Sequence, residues 1–138
     1  MKYYILKYSD DLPEGFGATT QGPFVKVRPK YQDDVGLIEH EKTHVRQWYA
    51  LMGLGLVIIG ALMVLAWPAF WPAGAVAPFL HPLLYKFVRP YRRWCEVGAY
   101  RKQVEVGGYV STEFAVTALA EKYDLDLDPR KASELLTE

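Results

Sequence analysis

The sequence predicts an α+β fold: a small antiparallel β-sheet, a helix carrying two histidines, a central apolar helical hairpin, a second long helix and short C-terminal helices. Three observations predict it. Two β-rich segments lie within the first 29 residues. A run of 39 residues, 47–85, then contains no Asp, Glu, Lys or Arg. Capped helical segments follow it, and the whole chain, residues 1–138, has the length of a single domain.

Composition excludes several classes of protein. The 16 basic and 16 acidic residues cancel, so no nucleic-acid partner is expected. Cys95 is the only cysteine, which excludes an internal disulfide and a zinc finger. The apolar run before Asp10 is too short for a signal peptide.

Two segments near the N-terminus are predicted as strands. "KYYILKY" (2–8) is rich in β-forming residues, and "GPFVKVRP" (22–29) alternates polar and apolar side chains. The intervening segment, "SDDLPEGFGATTQG", is rich in turn-forming residues and is predicted as a loop. The two strands are therefore expected to form the antiparallel sheet.

The next helix carries two of the three histidines. Asp33 and Asp34 are suitable N-cap residues for it. His40 and His44 are four residues apart, so they point the same way one helical turn apart, as two imidazoles sharing one zinc ion must. Glu41 lies about 60° around the helix from His44, near enough to hold a metal's water without binding the metal.

The run "HEKTH", residues 40–44, resembles the HExxH signature of zinc metallopeptidases. The resemblance implies one bound Zn²⁺ ion and a general-base role for Glu41. A candidate strand and a capped helix start precede the run, which is the context that the motif requires. The alternative is a pair of core or surface histidines without a metal.

The apolar run is predicted to form a hairpin over residues 47–88. Its first arm, 47–67, has 21 residues, enough to cross the roughly 30 Å of a bilayer core as a helix. Prolines, a glycine and aromatic residues in "PAFWPAG" (68–74) predict a turn at the far headgroup region. The return arm, 75–88, is short for a crossing because it spans only about 21 Å if helical.

Charges on both sides of the hairpin bear on its topology. Lys42 and Arg46 precede it, and Lys86 and three arginines follow it, so both ends are expected on the cytoplasmic side of a membrane. The alternatives are a single crossing and a soluble hairpin buried in protein. In the buried case the protein would be cytoplasmic or virion-associated.

The helix after the hairpin offers a third ligand. Glu96 is the first acidic residue after Glu41, and Ala99 follows it at i+3. This pair resembles the Glu-x-x-Ala element of gluzincins, including membrane-anchored ones that place membrane helices between the two elements. The resemblance implies that Glu96 binds the zinc ion with His40 and His44. Tyr100 occupies a position where gluzincins often carry an acidic residue.

Other assignments for this part of the site remain open. Glu105 and His81 are the alternative third ligands, and Glu96 can instead pair with nearby arginines on a solvated face. If one metal binds His40, His44 and Glu96, both ends of the hairpin must emerge on the same side. The charges that flank the hairpin and the need for one metal to reach all three ligands therefore favour the same topology, in which both ends of the hairpin lie on one side.

The C-terminal part is predicted as three helices. Pro90 suits the first turn of the helix that carries Glu96, and Gly107 with Gly108 ends it. A short helix follows from Ser111 or Thr112 to about residue 123. Asp128, as an N-cap before a proline, starts the last helix.

Together these features predict a membrane-associated zinc endopeptidase acting on peptides or proteins. Glu41 is the expected general base, and the candidates for oxyanion stabilisation are Tyr100, Tyr91 and Tyr85. The strand residues expected to pair with an extended substrate are Phe24, Val25, Lys26 and Val27. Lys26 and Arg28 would favour acidic residues in that substrate.

Two further hypotheses accompany this one. The chain could be a non-enzymatic membrane or phage-structural assembly protein that keeps a metallopeptidase-like fold. It could instead be a soluble peptidase that forms an oligomer through its apolar hairpin. For the membrane-bound enzyme, both termini and the site are expected on the cytoplasmic side.

Overall fold

The computed structural model describes residues 3–65 and 68–137. Three short strands come first: β1 (Ile5–Tyr8), β2 (Ala18–Gln21) and β3 (Phe24–Val27). Five α-helices follow in the described part of the chain: α1 (Val35–Leu65), α2 (Ala77–Phe87), α3 (Arg89–Gly107), α4 (Glu113–Glu121) and α5 (Pro129–Thr137). Two 3-10 segments lie at Pro29–Tyr31 and Pro68–Val76. The predicted α+β class is confirmed.

The sheet is mixed, which corrects the prediction of an antiparallel one. Its strand order is β1-β3-β2, with β1 parallel and β2 antiparallel to β3. The reason is that β2 forms inside the segment predicted as a loop and turns into β3 at Gly22, whose φ is 57°. Because β2 lies between β1 and β3 in the sequence and not in the sheet, β1 and β3 are neighbours that run in the same direction.

Helix α1 is continuous over 31 residues. Asp34 caps its start, because Oδ1 of Asp34 accepts a hydrogen bond from the Leu37 amide at 2.8 Å. No breaker residue separates the histidine-bearing turns from the apolar arm, so the two predicted segments form one helix. The last two residues of the predicted arm, Ala66 and Trp67, lie outside the described residues.

The chain then folds back along α1. The segment predicted as a turn forms the 3-10 helix Pro68–Val76, and α2 continues from it, both in contact with α1. Trp48 Nε1 on α1 donates a hydrogen bond to the carbonyl of Pro78 at 2.8 Å. Gly55 brings the two helices together, because a Cβ at this position would collide with Leu80.

Most of the apolar surface of the hairpin faces outward. Val64 and Leu65 are 84% and 83% exposed, and only 6% of the most apolar stretch of α1 is buried. Within residues 3–65 and 68–137, α1 is the one helix long and apolar enough to span a membrane. The apolar part of α1, residues 47–65, would extend about 28 Å, close to a bilayer's hydrocarbon thickness.

Helix α3 packs along α1 and carries the C-terminal helices. It ends at Gly108, whose φ of 63° is left-handed, as predicted for the Gly107–Gly108 pair. Gly36 lets α1 and α3 approach closely, because a Cβ there would lie 2.8 Å from the Gln103 carbonyl oxygen. One core cluster lies among α3, α4 and α5, and a second lies between the sheet and α1.

Candidate metal centre

Three side chains with metal-binding atoms converge between α1 and α3. Nε2 of His40 and Nε2 of His44 are 3.2 Å apart, on successive turns of α1. Glu96 on α3 places its carboxylate oxygens 3.7 Å from His40 Nε2 and 3.5 Å from His44 Nε2. One donor atom from each residue lies within 4.8 Å of the others, so the group could hold a metal ion.

The reversal of the chain through α2 brings these residues together. His40 and His44 precede the apolar part of α1, and Glu96 follows α2 on the returning helix α3. His40 and Glu96 are 3% and 1% exposed. Neither alternative third ligand belongs to the three-residue group: Glu105 pairs with Lys102 at the surface, and His81 lines the adjoining cavity.

Burial determines the electrostatics of the cluster. It raises the pKa of Glu96 to about 7, and it lowers the pKa of His44 and, further, that of His40. Among the described side chains, Oε2 of Glu96 is buried without a hydrogen-bond partner. Burial outweighs the opposing effects of the Tyr85 hydrogen bond and the Arg92 charge on the pKa of Glu96, so a divalent cation between Glu96 and two neutral imidazoles would stabilise the buried carboxylate.

Glu41 is a second buried carboxyl group at the site, outside the three-residue cluster. Its Oε2 accepts a hydrogen bond of 2.6 Å from the hydroxyl of Thr20 on β2. Burial raises the pKa of Glu41 to about 7, which is the range suited to a general base at neutral pH. The sequence does not predict Thr20 as a site residue, because the turn-forming residues around it predict a loop.

A cavity of about 450 Å³ opens in front of these groups. On one side it is bordered by β2 and on the other by α2. Its lining includes the two histidines of the cluster and both buried carboxyl groups. The remaining lining residues are Phe16, Ala18, Thr19, Thr20, Gln21, Gly22, Trp48, His81, Pro82, Tyr85 and Tyr123. The buried donor atoms therefore line an open cavity rather than a closed core.

The free sheet edge beside the cavity belongs to β2. The predicted substrate strand, Phe24–Val27, is the central strand β3, whose main chain pairs with β1 on one side and β2 on the other. Val25 and Val27 are buried in the core between the sheet and α1. The predicted contact of Phe24, Val25, Lys26 and Val27 with substrate is corrected for this reason, since β3 has no open edge.

The charged residues expected to select acidic substrates have other partners. Lys26 lies 3.6 Å from Asp11, and Arg28 donates hydrogen bonds to carbonyl groups of the loop before β2, including that of Phe16 at 2.8 Å. Neither side chain lines the cavity.

The predicted tyrosines occupy three different positions. The Tyr100 ring packs edge-on against His40, with 4.4 Å between the ring centroids, and its hydroxyl lies 3.0 Å from that of Tyr123. Tyr100 is not among the residues that line the cavity. Tyr85 lines the cavity and its hydroxyl donates a hydrogen bond to Glu96 Oε1. The Tyr91 hydroxyl is hydrogen-bonded to Nδ1 of His81 at 2.7 Å.

Comparisons with protein-family models, with curated proteins and with solved structures found no match. The chemistry of this site is therefore inferred from its own donor atoms, their burial and their spacing. Two imidazoles and one carboxylate suit zinc better than magnesium or calcium, which prefer all-oxygen ligands.

Proposed function

We propose that this chain is a membrane-associated zinc endopeptidase. In this proposal His40, His44 and Glu96 hold one Zn²⁺ ion, and Glu41 is the general base. The observation that carries the proposal is the convergence of three donor atoms and a separate buried carboxyl group at one open cavity. This is the arrangement that metal-assisted hydrolysis requires.

The residues of the site divide the reaction between them. A zinc ion, when bound, lowers the pKa of water toward about 7 and polarises the scissile carbonyl. Glu41 takes the proton from the attacking water and then delivers it to the leaving amine. The hydroxyl of Thr20 holds the Glu41 carboxylate in place. His81 lines the same cavity and is the donor best placed to stabilise the oxyanion, since the hydroxyl proton of Tyr85 is directed at Glu96.

The free edge of β2 supports a peptide substrate. An extended segment can pair with the main chain of Ala18–Gln21 and lie across the cavity above Glu41. Aromatic and apolar side chains form much of the cavity wall, including Phe16, Trp48 and Tyr123. We therefore propose that the substrate presents an apolar side chain next to the scissile bond.

The exposed apolar surface of the hairpin supports the membrane association. We propose that residues 47–65 and the returning segment, 68–87, insert into the bilayer, with both ends and the site on the cytoplasmic side. The protein should then stay in membranes washed with alkaline carbonate and require detergent for extraction. Release by carbonate alone would indicate the soluble oligomer, in which the hairpins cover one another.

The variant Glu41→Gln tests the proposed reaction. It keeps the size and a hydrogen-bonding oxygen but cannot accept the proton, so cleavage of a peptide library should fall by roughly 10²- to 10⁴-fold. Zinc content should stay at one ion per chain, because Glu41 is outside the ligand cluster. Glu105→Gln, the same change on the surface of α3, is the control and should cleave like wild type.

Two results would overturn the proposal. Cleavage retained by Glu41→Gln would remove Glu41 from the reaction. A zinc-loaded wild-type protein that cleaves no member of the library would instead favour the non-enzymatic assembly protein.

A further inference from the structure

Each histidine of the candidate metal centre has a glutamine on its Nδ1 side: Gln47 for His44 and Gln103 for His40. Gln47 Oε1 is 2.9 Å from His44 Nδ1, and Gln47 Nε2 donates a hydrogen bond of 3.1 Å to the Cys95 carbonyl oxygen. Because a carbonyl oxygen only accepts, the amide nitrogen of Gln47 must face Cys95 and its oxygen must face His44. His44 therefore carries its proton on Nδ1, and the lone pair of its Nε2 faces the Nε2 of His40 and the carboxylate of Glu96.

A second chain of hydrogen bonds leads to His40. The hydroxyl of Tyr109 donates to the carboxylate of Asp34, the residue that caps α1. Tyr109 then accepts a hydrogen bond of 3.2 Å from Gln103 Nε2, which leaves Gln103 Oε1 as the free acceptor. Because the Asp34 carboxylate only accepts, the Tyr109 hydroxyl must donate to it, and Gln103 must then donate to Tyr109.

The chain is completed at two buried atoms. Within the described part of the chain, Gln103 Oε1 and His40 Nδ1 are both buried and have no hydrogen-bond partner. Gln103 packs against α1 one turn before His40, since a Cβ at Gly36 would lie 2.8 Å from the Gln103 carbonyl oxygen. A proton on His40 Nδ1 directed at Gln103 Oε1 satisfies both atoms and leaves the Nε2 lone pair toward Glu96.

We propose that Gln47 and Gln103 are the positioning residues of this metal centre: their amide oxygens hold both imidazoles as the Nδ1–H tautomer and direct both Nε2 atoms at one cation. The inference rests on the proposed zinc site and deepens it. Neutral amides here take the part that a carboxylate often takes behind a metal-binding histidine. Each amide is tied to a ligand-bearing element, through Cys95 beside Glu96 and through Asp34 at the start of α1.

The tautomers can be measured without any metal. In the metal-free 138-residue chain in detergent micelles, long-range ¹⁵N–¹H spectra of ¹⁵N-histidine should show both His40 and His44 as neutral rings protonated on Nδ1. Gln47→Leu should shift His44 toward a mixture of tautomers, and Gln103→Leu should do so for His40. Gln32→Leu, the same change at an exposed position, should leave both rings as in wild type.

Zinc affinity gives the second readout. Removing an oxygen that orients a ligand typically weakens metal binding by about 10- to 100-fold, so both leucine variants should show this loss in competition with a chelator. Gln47→Glu and Gln103→Glu restore the acceptor oxygen at Nδ1 but not the amide donor to Cys95 or Tyr109, so each should recover part of the zinc affinity that its leucine variant loses. This rescue separates positioning from a general loss of packing, because a merely structural role would not favour the charged residue.

The outcomes distinguish the inference from the function on which it rests. A wild-type protein that binds no zinc would overturn the proposed function, whatever the tautomers are. Wild-type zinc binding together with unchanged tautomers and unchanged affinity in both leucine variants would overturn the role of the glutamines. If a leucine variant does not fold, failure of the corresponding glutamate variant to keep the Nδ1–H tautomer would overturn it equally.

Discussion

Two buried carboxyl groups dominate the chemistry of individual residues. Burial raises the pKa of Glu41 and of Glu96 to about 7, whereas it lowers the pKa of His40 and His44. Near neutral pH the metal-free site therefore holds uncharged imidazoles and partly protonated carboxyl groups. A cation that enters the site must displace protons from the carboxyl groups, since a neutral imidazole binds a metal through its Nε2 lone pair without losing a proton.

This proton balance predicts how zinc affinity depends on pH. Between pH 5.5 and 6.5, below both carboxyl pKa values, the zinc association constant should rise with pH by about tenfold per unit for each proton displaced. Glu96 loses its proton by binding zinc, and Glu41 loses part of its own to the nearby positive charge. The rise should therefore exceed tenfold in wild type, measured by chelator competition.

Glu41→Gln is the control for this measurement. With Glu41 unable to hold a proton, only Glu96 remains, and the rise should fall to about tenfold per pH unit. A zinc affinity that is constant from pH 5.5 to 6.5 in wild type would contradict the raised pKa of Glu96.

The sequence predicted the parts of the site that follow from local spacing. His40, Glu41 and His44 lie on one helix, so their geometry follows from its period. Glu96 could be found by its place in the chain and the small residue after it. Thr20 and Gln103 could not, because they reach the histidine-bearing helix from distant segments. Gln47 did carry a local signal, since it is three residues from His44 on the same face.

At the scale of elements, the site depends on how closely α1 and α3 approach. Gly36 lies at this contact, and a methyl group there would meet the main chain of α3 at Gln103 and Gly107, each at 2.8 Å. Gly36→Ala should therefore push the helices apart, lower the free energy of unfolding by about 1–3 kcal/mol and weaken zinc binding. Thermal unfolding in detergent, with and without zinc, measures both effects.

Gly53→Ala is the matched control on the same helix. No heavy atom lies within 4 Å of a Cβ at Gly53 outside its own surroundings in the helix, so alanine fits there. Its higher helix propensity should leave stability unchanged or raise it by up to about 1 kcal/mol. Equal stability and equal zinc affinity for the two variants would show that the contact at Gly36 does not position the ligands.

The sequence predicted the helices better than the sheet. Caps and breakers mark α3 and α5 plainly: Asp128 Oδ1 accepts from the Lys131 amide at 2.8 Å, and Gly108 ends α3. The four residues of β2 follow a run of turn-forming residues, and β2 exists because it pairs with β3. Such pairing is a tertiary effect that local propensity does not reveal.

At the scale of the whole molecule, the hairpin connects two halves of one site. Most of its apolar surface contacts no other part of the described chain, which fits a lipid surrounding or a second copy better than a buried core. The reversal itself was predictable from the prolines after α1 and the charges on both flanks. The packing of Tyr100 against His40 was not predictable from the sequence, because it depends on how α3 is rotated against α1.

The metal content of purified protein tests most directly whether these distant segments form one site. Wild type, extracted in detergent and supplied with zinc, should contain one ion per chain by plasma mass spectrometry. His40→Ala, His44→Ala and Glu96→Ala should each lose it, whereas Glu105→Ala, on the same helix as Glu96, should keep it. A Glu96→Ala protein that retains one zinc ion with wild-type affinity would contradict the account.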